Sequence, residues 1–171
     1  MNSKTMYILV AVLVIVIMVA GIGIYLYMGT GGGGGVENTY TVANATSLQF
    51  EANVTSQGTT ITYKLAGKNL NSTNLTLRID LLGGESGNYS YILNAGDETA
   101  WAAVNGEWTN VSSDFKNQWN SWGTEWTGYV NKLANWSGTG DYTYTAANGD
   151  SITVYNITVN PTLPDSLFQH S

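Results

Sequence analysis

The stretch 115–136, FKNQWNSWGTEWTGYVNKLANW, decides the fold, because Phe115, Trp119, Trp122, Trp126, Tyr129, Leu133 and Trp136 recur at alternating spacings of four and three. That spacing places all seven side chains on one stripe of an α-helix. Ser112 or Ser113 can cap its start, and Gly138 with Gly140 can end it. Gly123 and Gly128 each weaken the helix interior by about 1 kcal/mol, so the helix must take its order from packing the stripe against another element.

On both sides of this helix the chain reads as strands. Leu48, Phe50, Ala52 and Val54 alternate with Gln49, Glu51, Asn53 and Thr55, the period-two signature of a half-buried strand. Ile61, Tyr63 and Leu65 repeat it after the turn Ser56-Gln57-Gly58. Leu75, Leu77, Ile79 and Leu81 form a third strand, and Tyr89, Tyr91 and Leu93 a fourth. Asn105-Gly106 favours a tight primed turn that pairs Ala103 with Trp108 and puts Trp101 on their face. Asn148-Gly149 predicts a last hairpin from Tyr142–Ala147 to Asp150–Val159. There Ile152 and Val154 fall out of phase with Ile157 and Val159, which predicts a bulge near Tyr155. The expected class is α+β, mainly β: a curved antiparallel sheet packed around one aromatic-rich helix.

Ahead of this domain, Met6–Met28 carries no charge and is rich in Ile, Leu, Val and Met, long enough to span a bilayer. Lys4 precedes it and Glu37 follows, so the positive-inside rule expects the N-terminus in the cytoplasm and the C-terminal domain outside. Retention as an anchor is the main reading; signal cleavage and pilin-like processing near Lys4 are the alternatives. The expected organisation is a cytoplasmic stub and transmembrane helix over 1–28, a Gly-rich linker over 29–35 and an extracytoplasmic domain over 36–171. The linker spans on the order of 15 Å, which keeps the domain near the membrane.

Composition excludes several functions. The 171 residues include no cysteine and only six Lys and Arg, with a net charge of -6. Disulfides, thiolate sites and lipidated cysteines are ruled out, and nucleic acid is a poor partner for so few cations. The single histidine, His170, stands near the C-terminus and is expected to be solvated. Among twelve carboxylates, Asp97 with Glu98 or Glu107 are the nearest to an acid and base pair of a glycosidase, but hairpin-tip solvation accounts for them. Neither a metal site nor a cofactor is expected, and the domain is read as non-enzymatic. Charged residues are only 11% of the chain, so little charged surface changes state as carboxylates titrate, which suits an acidic exterior. Eight Asn-x-Ser/Thr sequons begin at Asn44, Asn53, Asn71, Asn74, Asn88, Asn110, Asn135 and Asn156, about twice the chance number. They are candidate N-glycosylation sites, whereas Asn160 is followed by Pro161 and should be skipped.

The run Asn160-Pro161-Thr162-Leu163-Pro164-Asp165-Ser166-Leu167-Phe168 resembles the ending of proteins related to bacterial outer-membrane lipoprotein-sorting carriers (LolA-like). Arg78-Ile79-Asp80, then Tyr91-Ile92-Leu93-Asn94-Ala95-Gly96-Asp97 and Trp101, is similar to their central hairpin. The resemblance implies an unclosed antiparallel β-barrel around helices, with an apolar cavity for acyl chains. It departs from that pattern in lacking the long helix before the first strand, in keeping a membrane anchor and in replacing scattered helices with one; tethered proteins of this look are familiar from archaea. On this reading Phe115, Trp119, Trp122, Trp126, Tyr129, Leu133 and Trp136, with Trp101 and Trp108, line or cover a cavity for an apolar or lipid-like ligand, or the domain assists envelope or surface-layer proteins. The alternative is a glycosylated structural surface or filament protein in which the same rings are only core.

Overall fold

A computed structural model describes residues 41–84 and 87–170. The expected transmembrane helix and Gly-rich linker lie outside the described residues. Among the described residues no helix is long and apolar enough to cross a membrane.

Eight strands form a single antiparallel sheet: β1 (Ser47–Ser56), β2 (Thr59–Lys68), β3 (Thr76–Gly84), β4 (Gly87–Asn94), β5 (Thr99–Val104), β6 (Glu107–Asn110), β7 (Tyr142–Thr145) and β8 (Ser151–Val159). Their spatial order is β6-β5-β4-β3-β2-β1-β8-β7. The first six strands are therefore a meander, and the last hairpin returns to the free side of β1. β6 and β7 are the two edges and do not pair, so the sheet is unclosed.

The helix α1 (Phe115–Leu133) is the connection between those edges. Nineteen residues rise about 28 Å, while eight strands side by side measure about 34 Å across a flat sheet. One helix thus nearly bridges the sheet, covering a single face. That face is set by the alternation read from the sequence. Leu48, Phe50, Ala52, Tyr63, Leu65, Leu77, Ile79, Tyr91 and Leu93 are all buried against Trp122, Trp126, Tyr129 and Leu133.

The turns agree with their residue types. Asn105 and Gly106 have φ of 51° and 86°, the left-handed pair a primed hairpin turn requires, and Ala103 does oppose Trp108. In β8 the register shifts between Gln49 and Glu51 of β1, and Asn156 takes a φ of 52°. This bulge brings Ile157 and Val159 back to the face of Ile152 and Val154, as their phase predicts.

The helix is shorter than expected. It ends at Leu133 rather than near Gly138, and Trp136 lies beyond it, its indole Nε1 donating to Gly140 O at 2.9 Å. Neither Ser112 nor Ser113 caps it, since both belong to a 3-10 turn at Ser112–Asp114 that makes no side-chain cap bond. Ser112 Oγ instead accepts from Ala100 N and donates to Ala100 O, which fastens the start of the crossover to β5.

Candidate functional site

The helix–sheet interface contains the buried part of the aromatic stripe. Trp126 stacks on Phe50 with ring centroids 5.6 Å apart, Tyr129 tilts against the same ring at 5.4 Å, and Trp122 meets Tyr91 at 4.3 Å. Trp122, Trp126, Tyr129 and Leu133 are buried, whereas Phe115 and Trp119 are half-buried and stack on one another at the start of the helix. Trp136 is half-buried outside the helix. The stripe is therefore rotated from the expected one toward its other flank, which brings Gln118 and Glu125 into the interface.

Glu125 is the residue that the hydrophobic period does not reveal. At 100° per residue it projects only about 40° from Tyr129, and its residue is 5% exposed. Among the described residues its Oε2 has no hydrogen-bond partner, and the same holds for the buried hydroxyls of Tyr91, Tyr129 and Tyr144, Gln118 Oε1 and Trp122 Nε1. Desolvation disfavours the carboxylate and pushes the Glu125 pKa up to about 7. Burial likewise raises the phenols of Tyr63, Tyr129 and Tyr144, each of which also feels the Glu125 charge. A carboxyl titrating near neutrality suits proton transfer, but catalysis also needs a reacting group brought to it.

Trp101 and Trp108, expected to join the helix rings, lie on the opposite face of the sheet. Ala100 and Ala102, which flank Trp101, point into the core instead, small side chains that leave room for the helix. On the outer face Trp101 opposes Asn110 and Ile92, and the Arg78 guanidinium sits 5.8 Å from the Trp108 ring.

That outer face is crossed by the C-terminal segment. Ser47 Oγ on β1 donates to Pro161 O, Lys68 Nζ on β2 reaches Asp165 Oδ1 at 2.6 Å, and Arg78 Nη1 on β3 donates to Leu167 O at 2.9 Å. Arg78 Nε is also held by both oxygens of Asp80. His170 ends the traverse exposed, as expected, and is also stacked on Trp101 with centroids 3.4 Å apart. Between segment and sheet lies a concavity of about 400 Å³, whose walls include Thr76, Ile92, Trp101, Phe168 and His170.

The carboxylates Asp97, Glu98 and Glu107 are exposed at hairpin tips. Asp97 Oδ2 accepts from Asn94 Nδ2, a turn contact. Among the described residues no group of three His, Cys, Asp or Glu side chains is arranged to hold a metal.

The sequons sit mostly in the open. Asn44, Asn71, Asn74, Asn88, Asn110, Asn135 and Asn156 are exposed and Asn53 is half-buried. Their amides differ in freedom: Asn71 Nδ2 donates to Ala45 O, and Asn156 Nδ2 to Glu51 Oε1. Asn53 Oδ1 accepts from Thr62 and Tyr155 hydroxyls.

No family model, no curated protein and no solved structure matches this chain. The fold itself defines the class: among the described residues, a mainly β domain of one unclosed antiparallel sheet with one α-helix across a face.

Proposed function

We propose that the chain is a membrane-anchored, extracytoplasmic surface module, non-catalytic, whose loops and outer sheet face carry N-linked glycans and whose aromatic helix is structural core. The observation that carries this reading is that seven of the eight sequon asparagines are exposed, while the rings of Trp122 and Trp126 are engaged by Tyr91 and Phe50. The anchor rests on the uncharged run Met6–Met28 behind Lys4.

Glycopeptide mass spectrometry on the full chain from its native membranes tests this. Glycan is expected first at Asn44, Asn74, Asn88, Asn110 and Asn135, and least at Asn71 and Asn156, whose Nδ2 groups already donate hydrogen bonds, and at half-buried Asn53. Eight bare sequons would overturn the proposal.

The second reading is a LolA-like half-barrel that takes an apolar or lipid-like ligand, favoured by the pairing of an unclosed sheet with a helix across its face. A guest there would have to part Trp122 from Tyr91 or Trp126 from Phe50. Lipid extracted from the purified chain and lost on Trp122→Ala or Trp126→Ala would move the assignment to this reading.

A further inference from the structure

We propose that α1 is held on the sheet by an acid-dependent latch, in which protonated Glu125 lets the middle of the helix seat among tyrosines and ionised Glu125 drives that segment off. The geometry has three parts. The carboxyl lies in the interface with a buried oxygen that no group in the described residues satisfies. Three titratable groups that feel its charge are phenols. The phenols that its charge acts on are Tyr63 on β2, Tyr144 on the four-residue edge strand β7 and Tyr129 on α1 itself. Asp150, in the β7–β8 turn, acts on Tyr63 with the same sign of charge as an ionised Glu125. The nearest identified cation on the helix, Lys132, is placed over the Tyr144 ring at 5.4 Å, and seven helical residues put it about 10 Å along the axis from Glu125.

The third part is mechanical. Gly123 and Gly128 bracket Glu125, and glycine lowers helix stability, so the turn that carries the carboxyl is the weakest of the helix. β7 pairs only with β8, and its Tyr144 hydroxyl is another of the unsatisfied buried atoms. Loss of the latch therefore frees a local unit, the central helix with the β7 edge, while β1 to β6 keep their ladders.

The sign follows from burial. Folding raises this carboxyl from its ordinary 4.5 to about 7. The folded state thus binds the proton more tightly than the unfolded one, and the favourable state is complete below about pH 4.5. Stability from this group then declines as pH rises toward about 7 and levels off beyond. The decline is on the order of a hundredfold in the folded-to-unfolded ratio.

The test compares the full chain in detergent with Glu125→Gln across about pH 4 to about pH 8. Amide hydrogen exchange in 115–133 and 142–145, corrected for intrinsic base catalysis, should speed up in the wild type on the order of a hundredfold relative to the variant as pH rises. Equal pH dependence in the two proteins overturns the latch. If the glutamine variant does not fold, the wild type alone decides by infrared spectroscopy. A protonated-carboxyl C=O band that persists at about pH 6 and disappears by about pH 8 supports the latch. A band gone by about pH 5 overturns it.

Discussion

The indole of Trp126 rests directly on the backbone of Gly67. A Cβ added at Gly67 would stand 2.6 Å from Trp126 Cζ2 and 2.7 Å from Cη2, with Leu70 Cδ2 at 2.9 Å. Gly67 is on β2 and faces the helix, so the missing side chain is what lets the largest ring of the interface lie flat on the sheet. Gly67→Ala should cost about 1–3 kcal/mol by overpacking. The cost should shrink in a Trp126→Leu background, where the smaller side chain leaves space. Urea unfolding of the four proteins of the cycle measures this coupling, and additive losses would show that ring and glycine are independent.

Trp122→Ala and Trp126→Ala should each lower stability by about 3–5 kcal/mol. Both residues are buried and stacked on sheet aromatics, so truncation opens a cavity in the main core. A domain stability of about 5–15 kcal/mol makes either loss a large share. Losses under about 1 kcal/mol in urea titrations would fit a loosely placed lid and contradict a core role.

Asn160 joins the end of β8 to the C-terminal segment with a φ of 55°. Its Oδ1 accepts from Thr46 N at 2.7 Å and from Thr46 Oγ1 at 3.1 Å. Asn160→Ala removes these bonds and puts an alanine in the left-handed region, for an expected loss of about 2 kcal/mol. Asn160→Gly keeps the backbone and should lose about half as much. Thermal melts of both variants separate the two contributions.

The Lys68–Asp165 contact gives the C-terminal segment a pH dependence opposite in sign to that of Glu125. The Lys68 ammonium, through its hydrogen bond and charge, holds the Asp165 carboxyl below its ordinary 3.8. The contact contributes at pH above 3.8 and is lost as pH falls through the lowered value. Carbon NMR of the Asp165 carboxyl should show a midpoint below 3.8 in the wild type that returns toward 3.8 in Lys68→Ala. Identical midpoints would mean that the pair does not form in solution.

Much of the sheet is legible in the sequence because its signals are local. Alternation marks the strands, Asn105-Gly106 marks a hairpin, and the broken phase between Val154 and Ile157 marks the bulge that Asn156 completes. The site is less legible. Alternation tells that Trp101, Ala103 and Trp108 share a face, but not which face receives the helix, and here Ala100 and Ala102 go inward with the helix while both tryptophans go outward. Glu125 is hidden because a carboxylate is read as solvent-facing, whereas its angular position beside Tyr129 already puts it on the buried flank. The C-terminal segment has no period at all. Its course over the outer face depends on Lys68, Arg78 and Trp101, three residues on separate strands.

The return of the last hairpin to β1 sets an order of events during synthesis. Tyr155 meets Glu51 across 104 residues of chain, so β1 emerges first and waits for its second neighbour until almost all of the polypeptide has been made. During that interval the β1 edge is an open template for another nascent copy. The polar outer residues of β1, Gln49, Glu51, Asn53 and Thr55, moderate the hazard until β8 arrives.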